Sequence, residues 1–92
     1  MTEFEKAFGK IIDHYGIQAQ KIKLMEELAE LIQATAKSPD GLITDNMVEE
    51  MVDVCIMFEQ FKSVFSPDQD SFFDDMIAYK LRRQLMRMEE GE

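Results

Sequence analysis

The sequence predicts an all-α fold: a four-helix chain of antiparallel helical hairpins that assembles into an oligomeric helical bundle. Apolar residues recur at three- and four-residue intervals through most of the 92 residues. Helix breakers are scarce, with 4 glycines and 2 prolines. A core this small beside so many apolar helix faces gains from pairing with further copies of itself, so a homodimer or homotetramer is expected.

Each element has its own signals. Thr2 and Glu5 offer a capping box before Phe4, Ala7, Phe8, Ile11 and Ile12, so the first helix runs to about His14 and stops at Gly16. The second helix covers roughly 17 to 37, with Leu24, Leu28, Leu31 and Ile32 as its core face. Ser38-Pro39-Asp40-Gly41 breaks the chain. Thr44 or Asp45 caps a third helix over about 45 to 64, and Ser66-Pro67-Asp68 ends it. The fourth helix spans about 68 to 89, with Phe72, Phe73, Met76, Ile77, Leu81 and Leu85 on its apolar side, before a frayed acidic tail at 90–92. Residues 1–92 read as one domain with its motif core at 17–64. The methionines and phenylalanines read mostly as core by spacing.

Composition narrows the function. A net charge of −9 argues against binding a nucleic acid polymer, which needs a basic footprint. It leaves room for a nucleotide, because bound cations reverse the local sign. No apolar run reaches membrane-spanning length and no signal peptide is evident, so the cytoplasm is the expected compartment. The one cysteine, Cys55, lies within Val54-Cys55-Ile56-Met57-Phe58 and reads as a buried small hydrophobe. His14, the one histidine, reads as a helix-end residue.

The chemistry concentrates in an acidic phrase that occurs twice. Glu26-Glu27-Leu28-Ala29-Glu30-Leu31 is answered by Glu49-Glu50-Met51-Val52-Asp53-Val54. Residues three apart share a helix face, so Glu27 neighbours Glu30 and Glu50 neighbours Asp53. Leu24, Leu31 and Ala34 fall within roughly 60° of Glu27, and Met47, Val54, Met57 and Phe61 bracket Glu50 in the same way. Glu26 and Glu49 point away. Four carboxylates turned toward a helix interface repel one another and lose hydration. Mg²⁺, or Mn²⁺ in its place, compensates with its preference for oxygen ligands. Glu27, Glu30, Glu50 and Asp53 are therefore expected to form one metal site. On the fourth helix Lys80, Arg83, Gln84 and Arg87 make a basic stripe that suits either those carboxylates or phosphates.

Glu27-x-x-Glu30, nineteen intervening residues and Glu50-x-x-Asp53 resemble the motif of the MazG-like all-α nucleoside triphosphate pyrophosphohydrolases. That superfamily also includes dimeric dUTPases and phosphoribosyl-ATP pyrophosphohydrolases. Lys23-Leu24-Met25-Glu26-Glu27-Leu28-Ala29-Glu30-Leu31 and Glu50-Met51-Val52-Asp53-Val54 are similar to small bacterial and phage members, over about residues 15 to 87. The resemblance implies paired helices from two subunits and a Mg²⁺-dependent cleavage between the α- and β-phosphates, giving a monophosphate and pyrophosphate. It also implies that Glu27, Glu30, Glu50 and Asp53 are the catalytic metal ligands, with one of them as an alternative base toward water. Lys80, Arg83 and Arg87 would contact the polyphosphate.

For the base pocket Phe8, Ile12, Tyr15 and Gln20 are candidates, beside residues of a neighbouring subunit. A different class of reading is a non-catalytic helical oligomerisation or partner-binding module, its acids surface charge or salt-bridged to Lys80, Arg83 and Arg87. A carboxylate di-iron bundle ranks below both, because it wants Glu-x-x-His.

Overall fold

In the computed structural model, which describes residues 2–91, the chain forms α1 (Glu3–Tyr15), α2 (Ile17–Lys37), α3 (Asp45–Lys62) and α4 (Pro67–Glu89). No strand occurs among the described residues.

Local chemistry sets the helix ends. The Thr2 hydroxyl accepts the Glu5 N–H at 3.1 Å and starts α1. Gly16, at φ 88°, ends α1 by donating its N–H to the Ile12 carbonyl, and it starts α2 with no side-chain cap. A residue with a Cβ is strained at that φ, which is why glycine serves there. Ser38 closes α2 through its N–H to the Ala34 and Thr35 carbonyls. Its hydroxyl lies 3.0 Å from that of Thr44, which accepts the Met47 N–H and caps α3. The α2–α3 link is thereby tied across its own ends. A reciprocal capping box of Ser66 and Gln69 (3.2 and 2.9 Å) starts α4, with Pro67 as its first residue. Glu90 and Gly91 form a hydrogen-bonded turn after α4, and Glu92 of the expected tail lies outside the described residues.

Ile12 of α1, Ala34 of α2, and Val54 and Met57 of α3 form the buried apolar core. No residue of α4 is fully buried. Phe73 meets Phe65 at 5.8 Å between ring centroids, with the Lys62 ammonium 5.1 Å from its ring.

Burial departs from the expectation at several places. Leu28 and Ile32 are exposed, as are Phe72, Ile77, Leu81 and Leu85 on α4 and Met25, Met51 and Phe58 elsewhere. Cys55 is exposed too, in an apolar trough with Phe8, Val48, Met51 and Val52. The core lies between α1, α2 and α3, so apolar positions on α2 and α3 turned away from that seam stay open among the described residues, and α4, which hardly packs on the other three helices, leaves its own apolar side uncovered. Among the described residues no helix is long and apolar enough to cross a membrane.

Candidate metal centre

Packing of α2 on α3 brings the two acidic pairs together. One carboxylate oxygen from each of Glu27, Glu30, Glu50 and Asp53 can be chosen so that all four lie within 4.8 Å of one another. The helical period explains the placement, since each pair occupies one face of its helix. Glu27 is buried, Glu50 half-buried, and Glu30 and Asp53 exposed. Glu26 and Glu49 are exposed, but Glu26 does not simply point away: it lies 3.8 Å from the Lys23 ammonium and lines the cleft beside the cluster.

Glu27 and Glu50 are the unusual members. Glu27 Oε1 pairs with the Lys23 ammonium at 3.2 Å, while its Oε2 is buried with no hydrogen-bond partner among the described residues. Glu50 Oε2 is likewise buried and unpartnered. A carboxylate oxygen taken out of water without a donor is costly. Burial pushes the Glu50 carboxyl above its ordinary range, and the neighbouring charges of Glu30 and Asp53 push it further. Lys23 shifts upward as well, chiefly through its hydrogen bond to Glu27. That ammonium is half-exposed and reaches one side of the cluster, so it offsets only part of the negative charge.

The donor set suits a hard divalent cation. Mg²⁺ holds oxygens at about 2.1 Å, which places ligands on opposite sides of the ion about 4.2 Å apart. Oxygens already within 4.8 Å of one another need little movement to reach that shell. Both orphaned oxygens belong to residues of this set, and a bound ion is one way to give such an oxygen a partner. Two of the acids are exposed, which leaves room for the waters that Mg²⁺ usually keeps.

Beside the cluster lies a cleft of about 540 Å³. Glu26, Glu27 and Asp53 line one part of it, and Tyr15, Gln20, Ile56 and Gln60 line another. Of the expected base-pocket residues, Tyr15 and Gln20 face this cleft. Ile12 instead belongs to the core, and Phe8 lines the trough around Cys55. His14, exposed, stands edge-on to Tyr15 at 4.7 Å.

Lys80, Arg83 and Arg87 are all exposed and do not line the cleft of their own chain. Lys80 lines an apolar trough with Phe65, Phe72 and Phe73, and the Arg83 guanidinium lies 5.5 Å from the Tyr79 ring. Lys23 and Gln60 are the site residues that sequence reasoning missed. Their signal was phase alone: Lys23 is one turn before Glu27, and Gln60 is two turns beyond Asp53. Compared with known proteins, the chain matches no family model, no curated protein and no solved structure.

Proposed function

We propose that the chain is a Mg²⁺-dependent nucleotide pyrophosphohydrolase, which cleaves a ribo- or deoxyribonucleoside triphosphate between its α- and β-phosphates. One observation carries the reading. Glu27 Oε2 and Glu50 Oε2 are buried and unpartnered inside a four-carboxylate cluster that opens onto a substrate-sized cleft. The spacing of Glu27, Glu30, Glu50 and Asp53, which resembles the MazG-like motif, supports the same reading. We infer that α2 and α3 form an antiparallel hairpin. Gln20 meeting Gln60 near one end, and Ser38 meeting Thr44 at the other, support it.

In this reading Glu27, Glu30, Glu50 and Asp53 would hold the metal beside the substrate's phosphates. The bound ion would lower the pKa of a water and neutralise charge on the leaving pyrophosphate. One of the four could instead act as base toward the attacking water, and the less buried Glu30 and Asp53 are the candidates for that alternative. Lys23 keeps Glu27 oriented through their 3.2 Å pair. Lys80, Arg83 and Arg87 do not reach the cleft of their own chain, so as polyphosphate contacts they would come from a second copy in a homodimer or homotetramer. The compartment that suits such an enzyme is the cytoplasm.

A second reading has its own observation. The broad apolar faces of α2, α3 and α4 left exposed in one chain also fit a non-catalytic helical oligomerisation module. Pyrophosphate release from a panel of nucleoside triphosphates, with Mg²⁺, Mn²⁺ or EDTA, separates the two. Metal-dependent release of monophosphate and pyrophosphate is the expected result. Silence across the panel with every metal sinks the enzymatic reading.

A further inference from the structure

The cleft holds a polar device that the metal chemistry does not use. Gln20 stands seven residues before Glu27 on α2, and Gln60 seven residues after Asp53 on α3. Seven residues are nearly two full turns, or about 10.5 Å, so each glutamine shares the face of its acid. That separation is comparable to the reach of a nucleotide from its α-phosphorus to the far edge of its base. Both side chains are almost completely buried, at 6% and 2% relative exposure, and both line the cleft. Gln20 Nε2 donates to Gln60 Oε1 at 2.7 Å, and Gln60 Nε2 reaches Met57 Sδ at 3.6 Å. Gln20 Oε1 and its second amide hydrogen have no partner among the described residues. Ile11, Tyr15, Ile22 and Ile56 supply the neighbouring apolar walls of the cleft.

We propose that Gln20, held in place by Gln60, reads the hydrogen-bonding edge of the nucleobase. This rests on the pyrophosphohydrolase reading of the acid cluster. A carboxamide presents an acceptor and a donor side by side, which matches a base edge carrying a donor and an acceptor on adjacent positions. The 2.7 Å bond makes the two amides turn over only together, and the contact of Gln60 Nε2 with Met57 Sδ favours the orientation that leaves Gln20 Oε1 free. The walls around the pair suit a flat ring, while the acids at the other end leave the phosphates to the metal. Gln20 is thus a specificity-determining residue, and Gln60 is its positioning residue.

Equilibrium binding tests this without requiring turnover. Wild-type protein and Gln20→Met are titrated, with Mg²⁺, with α,β-methylene triphosphates carrying each of the four RNA bases. Inorganic tripolyphosphate serves as the control for the metal end. Wild type is expected to prefer one base at least about tenfold, and Gln20→Met to level that preference to within about threefold while still binding tripolyphosphate. A preference that survives in Gln20→Met, or a wild type that binds all four bases equally, overturns the proposal and leaves the phosphohydrolase reading intact. A wild type that binds neither the analogues nor tripolyphosphate overturns both. Should Gln20→Met not fold, the wild type is offered its preferred base without the exocyclic group. Affinity at least about tenfold lower is then expected, and unchanged affinity rejects base reading.

Discussion

Glu50 lies under two opposed demands. Its carboxyl is half-buried beside Glu30 and Asp53, conditions that favour the protonated form, yet the proposed metal-binding role requires it ionised. The folded chain holds its proton more tightly than the unfolded chain does, so without metal its contribution to stability falls as pH rises from 4.5 through the raised value. Melting in EDTA over that range checks the sign. The wild type should gain stability toward the acid side relative to Glu50→Gln, which lacks this titration. At neutral pH without metal the variant should melt no lower than wild type, with helical content unchanged and turnover abolished. A Glu50→Gln protein with normal activity contradicts the site assignment. The four acids were legible in the sequence because a three-residue period fixes their face whatever the rest of the fold does. Gln60 shares the phase of Asp53, but phase alone does not mark a lone glutamine as part of a site until its partner across the helix seam is known. The structure supplies that partner in Gln20.

Helix ends and helix packing are the next scale. Thr44 both caps α3 and touches the Ser38 hydroxyl, so one side chain sets the link between the two acid-bearing helices. Thr44→Ala should cost about 1 kcal/mol of stability, read from urea unfolding with an unchanged slope. Ile12 is the largest fully buried side chain, and it holds α1 against the seam that carries the acids. Ile12→Ala should cost about 2–5 kcal/mol. A loss below about 1 kcal/mol in the same measurement would show that α1 is not integral to the core. The helix spans were legible because Gly16, the Ser38–Gly41 break and Pro67 punctuate the apolar period. The Ser66–Gln69 box was within reach of the same logic, with Gln69 three residues after Ser66. What covers each apolar face was not legible. Periodicity marks a stripe on a helix without saying whether its own chain or another lies over it, so Leu28, Ile32 and Cys55 were assigned to a core that does not reach them.

The whole molecule is open for its size. A radius of gyration of 16.2 Å exceeds the roughly 12 Å of a compact 92-residue domain. The accessible surface of 7485 Å² exceeds the about 5,500 Å² usual for a monomer of 10.7 kDa. The excess, about 2,000 Å², is larger than the about 800 Å² each partner buries in an interface of standard size. Exposed apolar side chains occur on all four helices, Ile32 on α2 and Phe72, Leu81 and Leu85 on α4 among them. Sedimentation should therefore find a dimer or larger assembly, with melting that rises with protein concentration. A monomer whose melting ignores concentration contradicts that expectation. In the proposed reading assembly also bears on the site, because Lys80, Arg83 and Arg87 do not line the cleft of their own chain.

In the proposed site Glu27, Glu30, Glu50 and Asp53 together bind one divalent cation. Isothermal titration of the metal-free protein with Mn²⁺, beside Glu27→Gln and Glu50→Gln, measures this with no assumption about substrate. Saturable binding that both variants lose is the predicted result, and at a hundredfold excess over Kd it should stabilise the wild type by about 2.7 kcal/mol. A wild type that takes up no Mn²⁺, or variants that bind it as the wild type does, would contradict the account.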